Sequence, residues 1–144
     1  MLILLHADVS DAELDAHVTR LLAPEYAQPE KKGLVVLCEN MESAGMSFHG
    51  IFSAGKRMHK ASFREGGQLA IVAHSTVAFG LAKIYQMAAE VLALDEIRVM
   101  RGHELGDAMR WLGIEDMSKD IRAKIKQLEG RPSDAVAMQR SSPF

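Results

Sequence analysis

Short apolar runs alternate with stretches of helical periodicity along most of this chain, and that alternation constrains its fold more than any other feature. Leu2-Ile3-Leu4-Leu5 is followed by Ser10-Asp11-Ala12-Glu13, which has the form of a capping box. Leu14, Val18, Leu21 and Leu22 then recur at helical spacing, predicting a helix over 11–22. Leu34-Val35-Val36-Leu37-Cys38 is apolar on both parities, as expected of a central strand covered on both faces. Phe48, Ile51 and Phe52 suit a helix face within 46–63, although Gly45, Gly50 and Gly55 each weaken it by about 1 kcal/mol relative to Ala. After the turn at Gly66-Gly67, a third strand is expected at Leu69–Ala73. A helix over 76–94 follows, with Val77, Leu81, Ile84, Ala88 and Val91 as its stripe. Glu96–Met100 alternates polar and apolar residues, which fits an edge strand.

Two more helices complete the pattern. One near 103–112 buries Leu105, Ala108, Met109 and Leu112; another near 115–129 carries Ile114, Met117, Ile121, Ile125 and Leu128 on one stripe. Beyond Gly130 the periodicity stops, and 130–144 is expected to be a mobile tail. Strands separated by helices imply parallel pairing through right-handed crossovers. The expectation is a single α/β domain over 1–129, with a mostly parallel sheet of four to five strands and helices packed on it.

With 144 residues, 48% of them hydrophobic, the chain can bury a core without a disulfide or metal staple. No apolar run approaches the roughly 20 residues of a membrane helix, so no transmembrane segment is expected. The N-terminus lacks a basic leader and a small-residue cleavage site, and the single cysteine suits a reducing compartment; we expect a cytoplasmic protein. A formal net charge of -2 argues against a general nucleic-acid or membrane-surface binder.

The run Leu69–Ala73 into Ala78-Phe79-Gly80-Leu81-Ala82-Lys83-Ile84-Tyr85, then Glu96–Met100 and His103-Glu104-Leu105-Gly106-Asp107-Ala108-Met109-Arg110-Trp111-Leu112, carries a family likeness. It resembles the SpoIIAA-like group of STAS-type domains, themselves similar to the CRAL-TRIO lipid-carrier fold. The likeness covers roughly residues 1–113 and is strongest in 69–112. It implies a STAS-type sheet and a non-enzymatic regulatory or binding role, through protein contacts or a small apolar ligand. Such domains commonly open with two strands, whereas here only Leu2–Leu5 is clear. Partner-switching members also carry a phosphorylated Ser in an Asp-Ser step, and this chain has Glu42-Ser43 instead, so no phosphorylation is expected, with Ser43 the nearest candidate.

The remaining chemistry is sparse. His6, His17, His49, His59, His74 and His103 form no metal-ligand pattern, and His17 reads as part of a charged helix face; no metal or other cofactor is expected. Cys38 closes a buried strand, which suits a small core residue better than a nucleophile. Gly50 to Lys56 matches seven positions of a phosphate-binding loop, but Arg57 stands where Ser or Thr is required. Lys56, Arg57, His59 and Lys60 read as a solvated basic face.

Ligands of open parallel sheets favour the carboxyl ends of the strands, which here carry Asn40, Met41, His74, Ser75 and Arg101. Phe48, Phe52, Phe79 and Tyr85 are expected beside them as an apolar lining. Two other readings stand beside the binding domain: an apolar-ligand carrier of the CRAL-TRIO kind, and an enzyme using Cys38 or His74. A homodimer is also expected, joined through an open edge at the N-terminal strand or through the stripe of helix 115–129.

Overall fold

The computed structural model describes residues 2–21, 23, 32–60, 67–91, 96–129 and 138–141. Parity organises its main sheet. In strands β1 (Leu2–Leu5), β3 (Lys32–Leu37) and β5 (Gln68–Ala73), successive side chains point to opposite faces. Leu2, Leu4, Leu34, Val36, Cys38, Ala70 and Val72 enter one core, whereas Ile3, Leu5, Leu37, Leu69, Ile71 and Ala73 enter the other. A run that is apolar on both parities therefore supplies two cores from one strand.

Strands β1, β3, β5 and β6 (Glu96–Arg101) are parallel and lie side by side in chain order. Steps in a single direction, each through a right-handed crossover, keep the intervening helices on one face. Those helices are α1 (Asp11–Leu21), α2 (Phe48–Lys60) and α3 (Thr76–Val91). The opposite face is covered by α4 (Leu105–Leu112) and α5 (Ser118–Glu129), each led in by a short 3-10 turn. Gly113, at φ 72°, ends α4 in the left-handed region, and its N–H and that of Ile114 bond back to Arg110 O and Met109 O.

The expected α/β architecture is present, and β6 is the edge strand its alternation implied. Four local expectations are corrected. First, a second opening strand exists: Ala7 turns the chain at φ 56°, and β2 (Asp8–Ser10) pairs with β4 (Glu42–Gly45) in a separate two-stranded ladder. Second, part of the expected tail, Met138–Ser141, forms strand β7, antiparallel to β1. Its composition is polar because it sits at the sheet edge, where pairing rests on backbone groups. The N-terminal strand is thus flanked on both sides and offers no open edge. Third, the stripe of α5 finds its cover at home, since Ile121, Ile125 and Leu128 pack into the core beneath the sheet with Leu2, Leu4 and Leu34. Fourth, the expected stripe of α3 holds only in part: Ala88 is buried and Leu81 packs against the core, but Val77 is 66% exposed and Ala78, Ala82 and Ala89 are buried in addition. Alanines let the helix lie close on the sheet, whereas its larger aliphatic groups point partly outward.

Ser10 caps α1 by accepting from Glu13 N–H at 3.2 Å. Glu13 Oε2 is buried without a hydrogen-bond partner among the described residues.

Candidate functional site

The expected site separates into two places. The first lies over the middle of the sheet, on the face covered by α1 to α3, and not at the strand ends. Ile3, Leu5, Val35, Leu37, Leu69 and Ile71 form its floor. Leu14, His17 and Val18 from α1, Met46, Ile51 and Ala54 from α2 and its approach, and Leu81, Ala82 and Tyr85 from α3 form its walls. Together they line a half-open apolar cavity of about 130 Å³.

The cavity follows from sizes as much as from hydropathy. Where three helices meet above a twisted sheet, Ala54 and Ala82 present single methyl groups, and both are buried. Larger residues there would occupy the space. The helix pair α1–α2 is held at the solvent side by Arg57, which ion-pairs with Asp15 and donates to Asp15 O at 3.1 Å and Thr19 Oγ1 at 2.7 Å. Arg57 therefore acts as a clamp and not as part of a free basic face; Lys56 is exposed, and the side chains of His59 and Lys60 lie outside the described residues.

Asp11 makes a second clamp between the same helices. Its carboxylate accepts from Ser47 N–H at 2.8 Å and from Ser47 Oγ–H at 2.6 Å, and Ser47 Oγ accepts from Gly50 N–H at 3.0 Å. The two hydrogen bonds from Ser47 hold the Asp11 carboxyl below its ordinary value.

The second place is polar and lies at the carboxyl ends of β5 and β6. Glu39, Ala73, His74, Ser75, Thr76, Arg101, Gly102 and His103 line a recess of about 360 Å³. Ser75 caps α3, its Oγ accepting from Ala78 N–H at 3.1 Å and its carbonyl from Phe79 N–H at 2.9 Å. The Arg101 guanidinium stacks on the Phe79 ring, 4.1 Å from its centroid. Gly102 is there because the His74 ring needs the room: a Cβ would lie 2.7 Å from His74 Nδ1.

Of the nine expected site residues, His74, Ser75 and Arg101 come together in the polar recess, with Phe79 beneath Arg101. Tyr85 alone reaches the apolar cavity. Met41 is plain core, and Phe52 is half-buried on α2 outside the cavity wall. Asn40 turns to the other side of the sheet, its Nδ2 donating to Leu128 O at 3.3 Å. The side chains of Phe48 and Ser43 lie outside the described residues.

Sequence reasoning missed Leu14, His17, Met46, Ile51 and Ala54. One signal was present: His17 sits between Leu14 and Val18 on the apolar stripe of α1, and it is 3% exposed, so it does not belong to a charged face. Cys38 is fully buried, and burial first, then the charge of Glu129, pushes its thiol up to about 12. Among the described residues no three metal-binding side chains cluster, and no helix is long and apolar enough to cross a membrane.

No family model, no curated protein and no solved structure matches this chain.

Proposed function

We propose that this chain is a non-enzymatic, STAS-like binding domain whose ligand is a small apolar molecule held between the sheet and helices α1 to α3. The apolar cavity carries the reading. Among the described residues its wall is apolar apart from His17 and Tyr85, and its volume is about 130 Å³. An apolar cavity of about 150 Å³ takes up benzene, whereas sites for drug-sized ligands run to about 300–1,000 Å³. The size thus favours a single ring or a short alkyl group over a whole lipid, and a small-ligand domain over a carrier of the CRAL-TRIO kind. The enzyme reading has less support: a thiol raised to about 12 is almost entirely protonated at neutral pH, and among the described residues no hydrogen bond joins Cys38 to His74. The homodimer lacks the support first expected for it, because both contact surfaces are covered within one chain.

Toluene titration read by thermal unfolding tests the proposal. A ligand that binds only the folded form raises Tm with concentration. Wild type should show that rise, and Ala82→Leu, which fills the cavity from α3, should remove it while keeping a cooperative transition. No rise in wild type, or an equal rise in Ala82→Leu, overturns the reading.

A further inference from the structure

The polar recess at the ends of β5 and β6 is separate from the apolar cavity, and its groups call for a different ligand. We infer that it binds a small anion bearing a phosphate or carboxylate group, seated between the Arg101 side chain, the His74 and His103 rings and the first turn of α3. The recess is lined by His74, Ser75, Thr76, Arg101 and His103, with Glu39 as the one carboxylate among the described lining residues.

Three independent features converge. Arg101 is exposed, and among the described residues it has no carboxylate ion-pair partner; Glu104 Oε1 instead accepts from its backbone N–H at 2.9 Å. Stacking on Phe79 at 4.1 Å holds the guanidinium plane by one face and leaves its N–H edge available, the edge that pairs with phosphate or carboxylate oxygens. Second, His74 Nε2 is buried without a hydrogen-bond partner among the described residues, which is costly for a polar atom unless something completes it. The backbone is shaped around this ring, since Gly102 alone leaves it space.

The third feature is the start of α3. Ser75 satisfies Ala78 N–H with its side chain and Phe79 N–H with its carbonyl, so the N–H groups of Thr76 and Val77 are left without an intrahelical acceptor. A sixteen-residue helix also places partial positive charge at this end. The Arg101 guanidinium, the free amides and the helix dipole all favour negative charge here. Glu39 opposes it from the lining; its backbone N–H donates to Glu129 Oε1 at 3.3 Å, which ties its loop to α5.

Opposed substitutions make the test specific. Inorganic phosphate and acetate are titrated separately into the full chain at constant ionic strength against chloride, following the imidazole resonances of His74 and His103. At least one anion should shift both rings saturably, and the pair of titrations separates phosphate from carboxylate recognition. Arg101→Gln should weaken that binding about tenfold or more, the loss expected for a charge-assisted pair, and Glu39→Gln should tighten it. Ala82→Leu should leave it unchanged, so this site and the apolar cavity fail or stand separately. Shifts matched by chloride, or affinities that ignore both Arg101→Gln and Glu39→Gln, overturn the assignment.

Discussion

Cys38 shows how one side chain's place in the sheet sets its chemistry. It follows β3 on the parity that faces α4 and α5, and its N–H still bonds Leu5 O at 2.9 Å, so it extends the ladder into the core. There the thiolate would be desolvated and would face Glu129, which is why the folded chain keeps the thiol protonated up to about 12. The unfolded chain ionises near the ordinary thiol value, so this group favours folding fully at neutral pH and progressively less as pH rises from about 9 toward 12. Between pH 9 and pH 10 that loss should be about 1 kcal/mol. Urea titrations of wild type and Cys38→Ala across this window should show a steeper decline in wild type. Parallel slopes would mean that the thiol is not held neutral.

At the scale of elements, the start of α2 reverses an ordinary rule. Replacing a helical Gly by Ala normally gains about 1 kcal/mol. At Gly50, however, the added methyl would fall inside the Asp11 carboxylate, which is pinned by two hydrogen bonds from Ser47. Gly50→Ala should therefore destabilise the protein, and in an Asp11→Ala background the same change should stabilise it. A double-mutant cycle by chemical denaturation reads the sign directly; a gain in both backgrounds would sink the account. The same clamp joins α1 to the start of α2, so Asp11→Ala itself should lower stability by about 1–3 kcal/mol. Gly50 reads from sequence as a weak point in a helix; the pressure that keeps it comes from a residue 39 positions earlier.

For the whole molecule, the decisive fact is that α5 packs into the core under the main sheet and β7 pairs with β1. Ile121 and Ile125 are 2% and 6% exposed within the core under the sheet. The double substitution Ile121→Asp/Ile125→Asp should abolish the cooperative thermal transition, because two carboxylates would have to be buried without partners. Loss of a dimer with the fold intact, seen as a lower sedimentation coefficient and a preserved transition, would contradict the single-chain packing. The described edges of the main sheet are then β6 and β7, and β6 carries the exposed charged residues Glu96 and Arg98. Such residues guard an edge against pairing with another chain.

Periodicity alone determined much of this protein. A two-residue period in Leu34–Cys38 and a 3.6-residue period at Leu105, Ala108, Met109 and Leu112 are local consequences of strand and helix geometry, so they are legible without a partner. The carboxyl ends of β5 and β6 were legible too, because parallel topology places His74, Ser75 and Arg101 together whatever the packing above them. Three things were decided only by tertiary structure. Which apolar residues of α3 turn inward depends on how closely Ala78 and Ala82 can approach the sheet, since Val77 and Met87 are as apolar and yet exposed. Strand β7 depends on backbone hydrogen bonds to β1, which no side-chain pattern in Met138–Ser141 announces. The apolar cavity depends on volume left over between α3 and the pair α1 and α2, which Arg57 and Asp11 join. Leftover volume is a difference between packed shapes, and it belongs to no residue until all of them are in place.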